Sequence, residues 1–181
     1  MQIQETALKG VLILTFDGQT DARGTMNVTI DTSAMADAGI SLACKEQRLY
    51  HMPKKGTFFG IHFQTKRHPQ DKLIHLLAGR GMDYVIDLRR DSPTYSKWIA
   101  IELRGGDHQC VFIPQGFGHA FLSLEGDTTQ LFSASEPFHR DASMQIRFDD
   151  PQIHLVLPTE ITAMSDYDRN APHSGDLEFE V

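Results

Sequence analysis

A histidine set in an otherwise apolar run is the first residue of this chain with chemistry to offer. Thr57-Phe58-Phe59-Gly60-Ile61-His62-Phe63-Gln64 reads as a β-strand. Its two-residue period places Phe59, Ile61 and Phe63 on one face and Gly60, His62 and Gln64 on the other. A glycine beside two polar side chains suggests a face that looks into a cavity, because a packed core would fill that space. A polar face turned to water is the competing reading of the same pattern.

Two chemistries are open to such a histidine. The chain has nine histidines, which raises the question of a metal. Metal-binding jelly rolls of the cupin class usually present two histidines separated by one residue, then a carboxylate and a later histidine. Here the first slot reads His62-Phe63-Gln64, and no His-x-His occurs anywhere. A divalent ion wants three or four converging ligands with a supporting second layer, so no metal is expected. The alternative is proton transfer. Histidine titrates near pH ~6.5, and its neutral ring can take a proton from carbon. If that carbon lies next to a ketone, a cation such as Lys72 can hold the enolate oxygen. A carboxylate would orient the imidazole and stabilise its protonated form. Spacing alone does not bring these groups together.

The elements available to position them are strands. Short β-rich runs recur between turn signals: Val11–Leu14, Phe58–Gln64, Leu73–Leu77, Tyr84–Leu88, Trp98–Leu103, Cys110–Ile113, Ala120–Leu124, Thr129–Ser133, Met144–Phe148 and Ile153–Leu157. Gly79-Arg80-Gly81 and Gly105-Gly106-Asp107 tolerate positive φ, and Pro114-Gln115-Gly116 forces a bend. Only about Thr32–Gly39 looks helical, capped by Asp31 or Thr32. This pattern predicts an all-β fold, a sandwich or jelly roll, with a few short helices. No repeat or linker divides the chain, which predicts one domain over residues 1–181, with an N-terminal arm over about 1–30. The tail from Thr159 onward is more polar and is expected to wrap a surface.

Composition bounds the partners. The net charge of -7 argues against a nucleic-acid surface, which would carry a basic stripe. It leaves room for an anionic small ligand, since a few cations in a pocket suffice. Cys44 and Cys110 both sit in apolar runs and read as buried free thiols, which suits a reducing, cytoplasmic compartment. No apolar stretch approaches the ~20 residues of a membrane span, and no signal peptide is visible at Met1-Gln2-Ile3-Gln4-Glu5.

One family brings the scattered residues together. Phe59-Gly60-Ile61-His62-Phe63-Gln64 resembles the Arg-Gly-Leu-His-Phe-Gln signature of the dTDP-4-dehydrorhamnose 3,5-epimerases. The likeness continues through Gln70-Asp71-Lys72-Leu73, Met82 to Arg89, Ser92-Pro93-Thr94-Tyr95 with Trp98, and Ile113 to Phe121. Asp149-Asp150-Pro151 and Ser165-Asp166-Tyr167-Asp168 carry it to the tail. Each motif is weak alone; the ordered set is specific. The resemblance implies a double-stranded β-helix jelly roll of cupin type, usually a homodimer with an exchanged N-terminal strand. It also implies an isomerase that uses no cofactor on a nucleotide-diphosphate sugar, an NDP-4-keto-6-deoxysugar, in deoxysugar biosynthesis such as that feeding lipopolysaccharide.

By the same resemblance, His62 matches the general base and Asp168 its paired carboxylate. Lys72 and His119 match groups around the sugar and its ketone oxygen. Arg23 matches a substrate-binding arginine, Gln47 a residue on the nucleotide side, and Phe138 an aromatic that stacks on the base. The departures are equally specific. Phe59 replaces the signature arginine, Val28 a glutamate and Leu49 a polar residue beside the nucleotide. Phe132 stands where the family has the tyrosine that protonates the opposite face of the sugar. Losing a general acid typically costs about 10²- to 10⁴-fold in rate; Tyr50 and Tyr84 are the candidate substitutes.

Three readings follow. The chain is an epimerase at one or both carbons beside the C4 ketone, a keto-isomerase or single-centre epimerase on the same scaffold, or a catalytically weak sugar-nucleotide binder. Retention of His62, Lys72, His119 and Asp168 favours catalysis.

Overall fold

The computed structural model describes residues 1–181, and its strands come in the order that the turn signals predict, with additions. They are β1 (Gln2–Glu5), β2 (Leu12–Thr15), β3 (Gly18–Asp21), β4 (Gly24–Asn27), β5 (Glu46–Met52), β6 (Phe58–Gln64), β7 (Lys72–Ala78), β8 (Arg80–Asp87), β9 (Trp98–Arg104), β10 (Gln109–Ile113), β11 (Phe117–Ser123), β12 (Thr128–Ala134) and β13 (Ser143–Ile146). Helix α1 (Thr32–Asp37) starts at Asp31, whose carboxylate accepts the Ala34 N–H, and α2 (Asp166–Arg169) starts at Ser165.

Two antiparallel sheets face each other, as expected for a jelly roll. One runs β1-β2-β10-β7-β12-β5, the other β13-β6-β11-β8-β9; β3 and β4 form a separate hairpin. Between the sheets, Ile74, Leu76, Val85, Leu103, Val111, Ile113, Phe117 and Phe121 fill one end of the interior. A second cluster lies outside the five-stranded sheet, where Phe58, Ile61, Phe63, Tyr84 and Leu122 meet Ile153 and Phe179 from the C-terminal segment. A third lies outside the other sheet, where Leu14, Leu73 and Cys110 meet Met35, Ile40 and Leu42. The tail thus covers a sheet face: Phe58 N–H donates to the Ala163 carbonyl and Lys66 N–H to that of Glu180.

Three expectations are corrected. Ile153–Leu157 is not a strand. Its apolar side chains do pack on the sheet, but His154 has φ of 52°, which breaks an extended run. Cys44 is exposed, and only Cys110 is buried.

The third correction concerns β6. His119 on β11 faces His62, yet Phe121 faces Phe59, so two steps on one strand oppose three on the other. This bulge at Gly60 and Ile61 reverses the alternation on one side of it. Phe58, Ile61 and Phe63 therefore face the outer cluster, while Phe59 joins His62 on the inner face.

Candidate active site

The end of the interior left unfilled by hydrocarbon is a cavity of about 1050 Å³, large enough for a sugar nucleotide. Phe59, Gly60, His62, Lys72, His119, Phe132, Phe138 and Asp168 all line it. Each sheet supplies one wall. His62 and His119 come from β6 and β11 of the five-stranded sheet, Lys72 and Phe132 from β7 and β12 of the other.

His62 Nε2 is hydrogen-bonded to Asp168 Oδ1, across 106 positions of sequence. The imidazole side chain is 40% exposed and the carboxylate 4%, so the pair presents a reachable ring on a buried anion. Burial alone would raise the Asp168 pKa. Hydrogen bonds from His62, from the Ser165 hydroxyl at 2.8 Å and from the Gly60 backbone outweigh that and lower it. Ser165 also accepts the Asp168 N–H at 3.0 Å, so the N-cap of α2 fixes the carboxylate. Gly60 makes the approach possible. A Cβ there would lie 2.8 Å from Asp168 Oδ1.

Lys72 is 4% exposed, and its Nζ donates to the His62 carbonyl at 3.0 Å. Burial brings its pKa down to about 8, with the Asp83 carboxylate pulling the other way. His119 Nε2 meets Asp83 Oδ1 at 2.6 Å; the carboxylate is fully buried and the ring nearly so. Phe132 collects these groups: the Lys72 ammonium lies 6.0 Å from its ring centre and the His119 ring 6.1 Å.

Two of the residues expected in the site are elsewhere in this chain. Arg23 sits at the tip of the β3–β4 hairpin, with its side chain 91% exposed and tied to Asp21 at 2.6 Å. Gln47 lies on the outer face of β5 and donates to Ser133 Oγ at 3.0 Å. The alternation of β5 explains this: Arg48 and Tyr50 line the cavity, while Gln47, Leu49 and His51 point away. Val28 and Leu49 are likewise exposed outside the cavity. Tyr84 does not reach it either; its hydroxyl donates to the Val156 carbonyl at 3.3 Å in the outer cluster.

Sequence reasoning missed the cations that do face the cavity, Arg48 and Arg140. The Arg48 guanidinium lies 5.2 Å from the ring centre of Phe138 at the mouth. Alternation along Glu46–Met52 was the available signal, masked because its inward side chains are themselves polar. Gln64 acts on the scaffold. Its amide donates to the His68 and Pro137 carbonyls and accepts the His139 N–H, pinning the loop that carries Phe138. There His68, from the β6–β7 connection, meets Glu136 and His139 of the Phe138 loop, with their ligand atoms within 4.8 Å. The two imidazoles stack at 3.6 Å, 8° from parallel, so no single ion lies in both ring planes. Lys45 holds the second oxygen of Glu136 at 2.5 Å.

The model of the family described as dTDP-4-dehydrorhamnose 3,5-epimerase matches residues 5–176. The chain belongs to that family. A dTDP-4-dehydrorhamnose 3,5-epimerase from Methanothermobacter thermautotrophicus is 31% identical over 92% of this chain and 90% of its own length. The solved structure of the rmlC epimerase of Mycobacterium tuberculosis superposes with a TM-score of 0.91 at 25% identity, over 97% of this chain and 90% of that one. The dTDP-4-dehydrorhamnose 3,5-epimerase from Bacillus anthracis, solved with TDP and PPi bound, gives 0.91 at 26% identity, over 95% and 98%. Within this epimerase family the jelly-roll reading of the sequence holds, as does the isomerase class. No helix of the chain is long and apolar enough to cross a membrane.

Proposed function

We propose that this chain epimerises a dTDP-4-keto-6-deoxysugar, removing a proton from a carbon beside the C4 ketone and returning one to the opposite face. The observation that carries the reading is the His62–Asp168 pair opening on a cavity beside the buried Lys72 ammonium.

The atoms suit the parts. An ionised Asp168 accepts from His62 Nε2–H, which leaves Nδ1 as the basic atom for the carbon-bound proton. The carboxylate then stabilises the imidazolium. Lys72 spends one N–H on the His62 carbonyl and keeps others for the developing enolate oxygen. His119, held rigid by Asp83, is the second hydrogen-bonding group at the sugar. The route changes no oxidation state and calls for no cofactor.

The nucleotide fits the mouth. Phe138 offers a π-face to the thymine, and Arg48 and Arg140 offer charge to the diphosphate. A homodimer completes the picture. Ile3, Met26, Val28, Leu49 and Leu77 are large apolar side chains left exposed, and a second copy would cover them while its Arg23 entered this cavity. Free thiols at Cys44 and Cys110 support a cytoplasmic setting.

The test is product stereochemistry. Purified protein and dTDP-4-keto-6-deoxyglucose are followed by NMR, with inversion expected at C3, C5 or both. A sugar that keeps both configurations on prolonged incubation would contradict the proposal. Label entering one carbon with retained configuration would favour the keto-isomerase alternative instead.

A further inference from the structure

Inversion needs a proton donor on the wall facing His62, and the His62–Asp168 pair cannot be that donor. Phe132 on that wall carries no acidic hydrogen. Tyr50 does. It projects from β5 in the six-stranded sheet, opposite the sheet that holds His62, and lines the same cavity. Its ring stands edge-on to Phe59 at 5.0 Å and to Phe132 at 6.3 Å. Phe132 is the same ring that Lys72 and His119 approach, so Tyr50 shares a neighbour with both groups expected at the ketone.

We infer that Tyr50 is the acid that protonates the enolate from the face opposite His62. The assignment rests on the epimerase reading above and adds a residue to it. In the step, the enolate π pair forms the new C–H bond with the phenolic proton while the C4 carbonyl re-forms. The O–H bond of Tyr50 breaks and leaves a phenolate. Solvent then reprotonates that oxygen and takes the proton held by His62, so the balance closes with no co-reactant.

The other three phenols fail on position: Tyr95, on the β8–β9 connection, does not line the cavity. Tyr167 lies on α2 next to Asp168, on the His62 side, and is 60% exposed. Tyr84 is buried in the outer cluster with its hydroxyl committed to Val156. Arg48 lies two residues from Tyr50 on the same face of β5, placed to stabilise a phenolate. Burial works against the Arg48 charge, yet Glu46 and Tyr50 together hold its pKa above the ordinary value.

The experiment compares wild type and Tyr50→Phe on dTDP-4-keto-6-deoxyglucose in D₂O, reading deuterium entry and configuration separately. The substitution removes one hydroxyl and keeps the packed ring, so the fold is retained. Tyr50→Phe is expected to keep deuterium entry on the His62 face while inversion falls at least about 10²-fold. Inversion at the wild-type rate overturns the assignment alone, as does equal loss of exchange and inversion, which marks a role in cavity shape. Exchange without inversion in wild type also overturns it. Wild type that does neither overturns the epimerase reading, and the role of Tyr50 with it.

Discussion

His62 and His119 face each other across neighbouring strands, yet each imidazole is tied to its own carboxylate. The environments differ sharply: the His62 side chain is 40% exposed and that of His119 7%. A ring open to the cavity can exchange protons with a ligand and with water. A ring that only edges the cavity, on a fully buried Asp83, is a fixed hydrogen-bonding group. Burial thus sets two like residues apart.

Gly60→Ala tests whether Asp168 positions the base. The added methyl meets the carboxylate at 2.8 Å and pushes it away from His62. A displacement of about 1 Å at a catalytic pair costs about 10²-fold in rate, so turnover is expected to fall by that order while the substrate KM stays near wild type. Steady-state kinetics check it; unchanged kcat removes Asp168 from the argument.

Lys72 predicts an alkaline limb. Its pKa is brought down to about 8 from an ordinary 10.5, so between those values the unfolded chain binds more protons than the native one. Stability from this group therefore rises with pH across that window, as the penalty of burying the charge is relieved. Activity goes the other way, because the neutral amine no longer holds an enolate. Above pH 8, kcat is expected to fall about tenfold per pH unit. Lys72→Arg, which keeps its charge throughout, is expected to remove that limb even if it lowers the plateau.

The fold is largely legible in the sequence because buried strands alternate and glycine-marked turns separate them; β6 has the bounds that its pattern predicts. Three local features are not. A one-residue bulge carries no periodic signature, so simple alternation puts Phe59 on the wrong face. Strand β5 borders open space with Arg48 and Tyr50 instead of apolar residues, which hides both the strand and the outward placing of Gln47. Asp168 is 106 positions from His62; that pairing is visible only through family resemblance.

Arg48 and Phe138 are expected to act on dTDP binding and not on proton abstraction by His62. Arg48→Ala or Phe138→Ala should weaken dTDP binding by roughly tenfold, about 1–2 kcal/mol for a lost base stack or cation–π contact. The exchange rate at saturation should stay within about threefold, as for any loss of uniform binding. Calorimetric titration with dTDP, set beside saturation kinetics, separates the two effects.

Phe132→Tyr places a second phenol where the Lys72 ammonium is 6.0 Å and the His119 ring 6.1 Å from the ring centre. Inversion is expected to speed up several-fold with little change in dTDP affinity. NMR product analysis reads the first quantity. No change in inversion would show that position 132 is not on the proton path.

The most direct measurement is deuterium entry from D₂O into a dTDP-4-keto-6-deoxysugar, with wild type and His62→Asn side by side. Wild type should label a carbon next to the ketone, and His62→Asn should do so at least about 10²-fold more slowly with its fold unchanged. Equal labelling by the two proteins would mean that another base does the work, and the role given to the His62–Asp168 pair would be wrong.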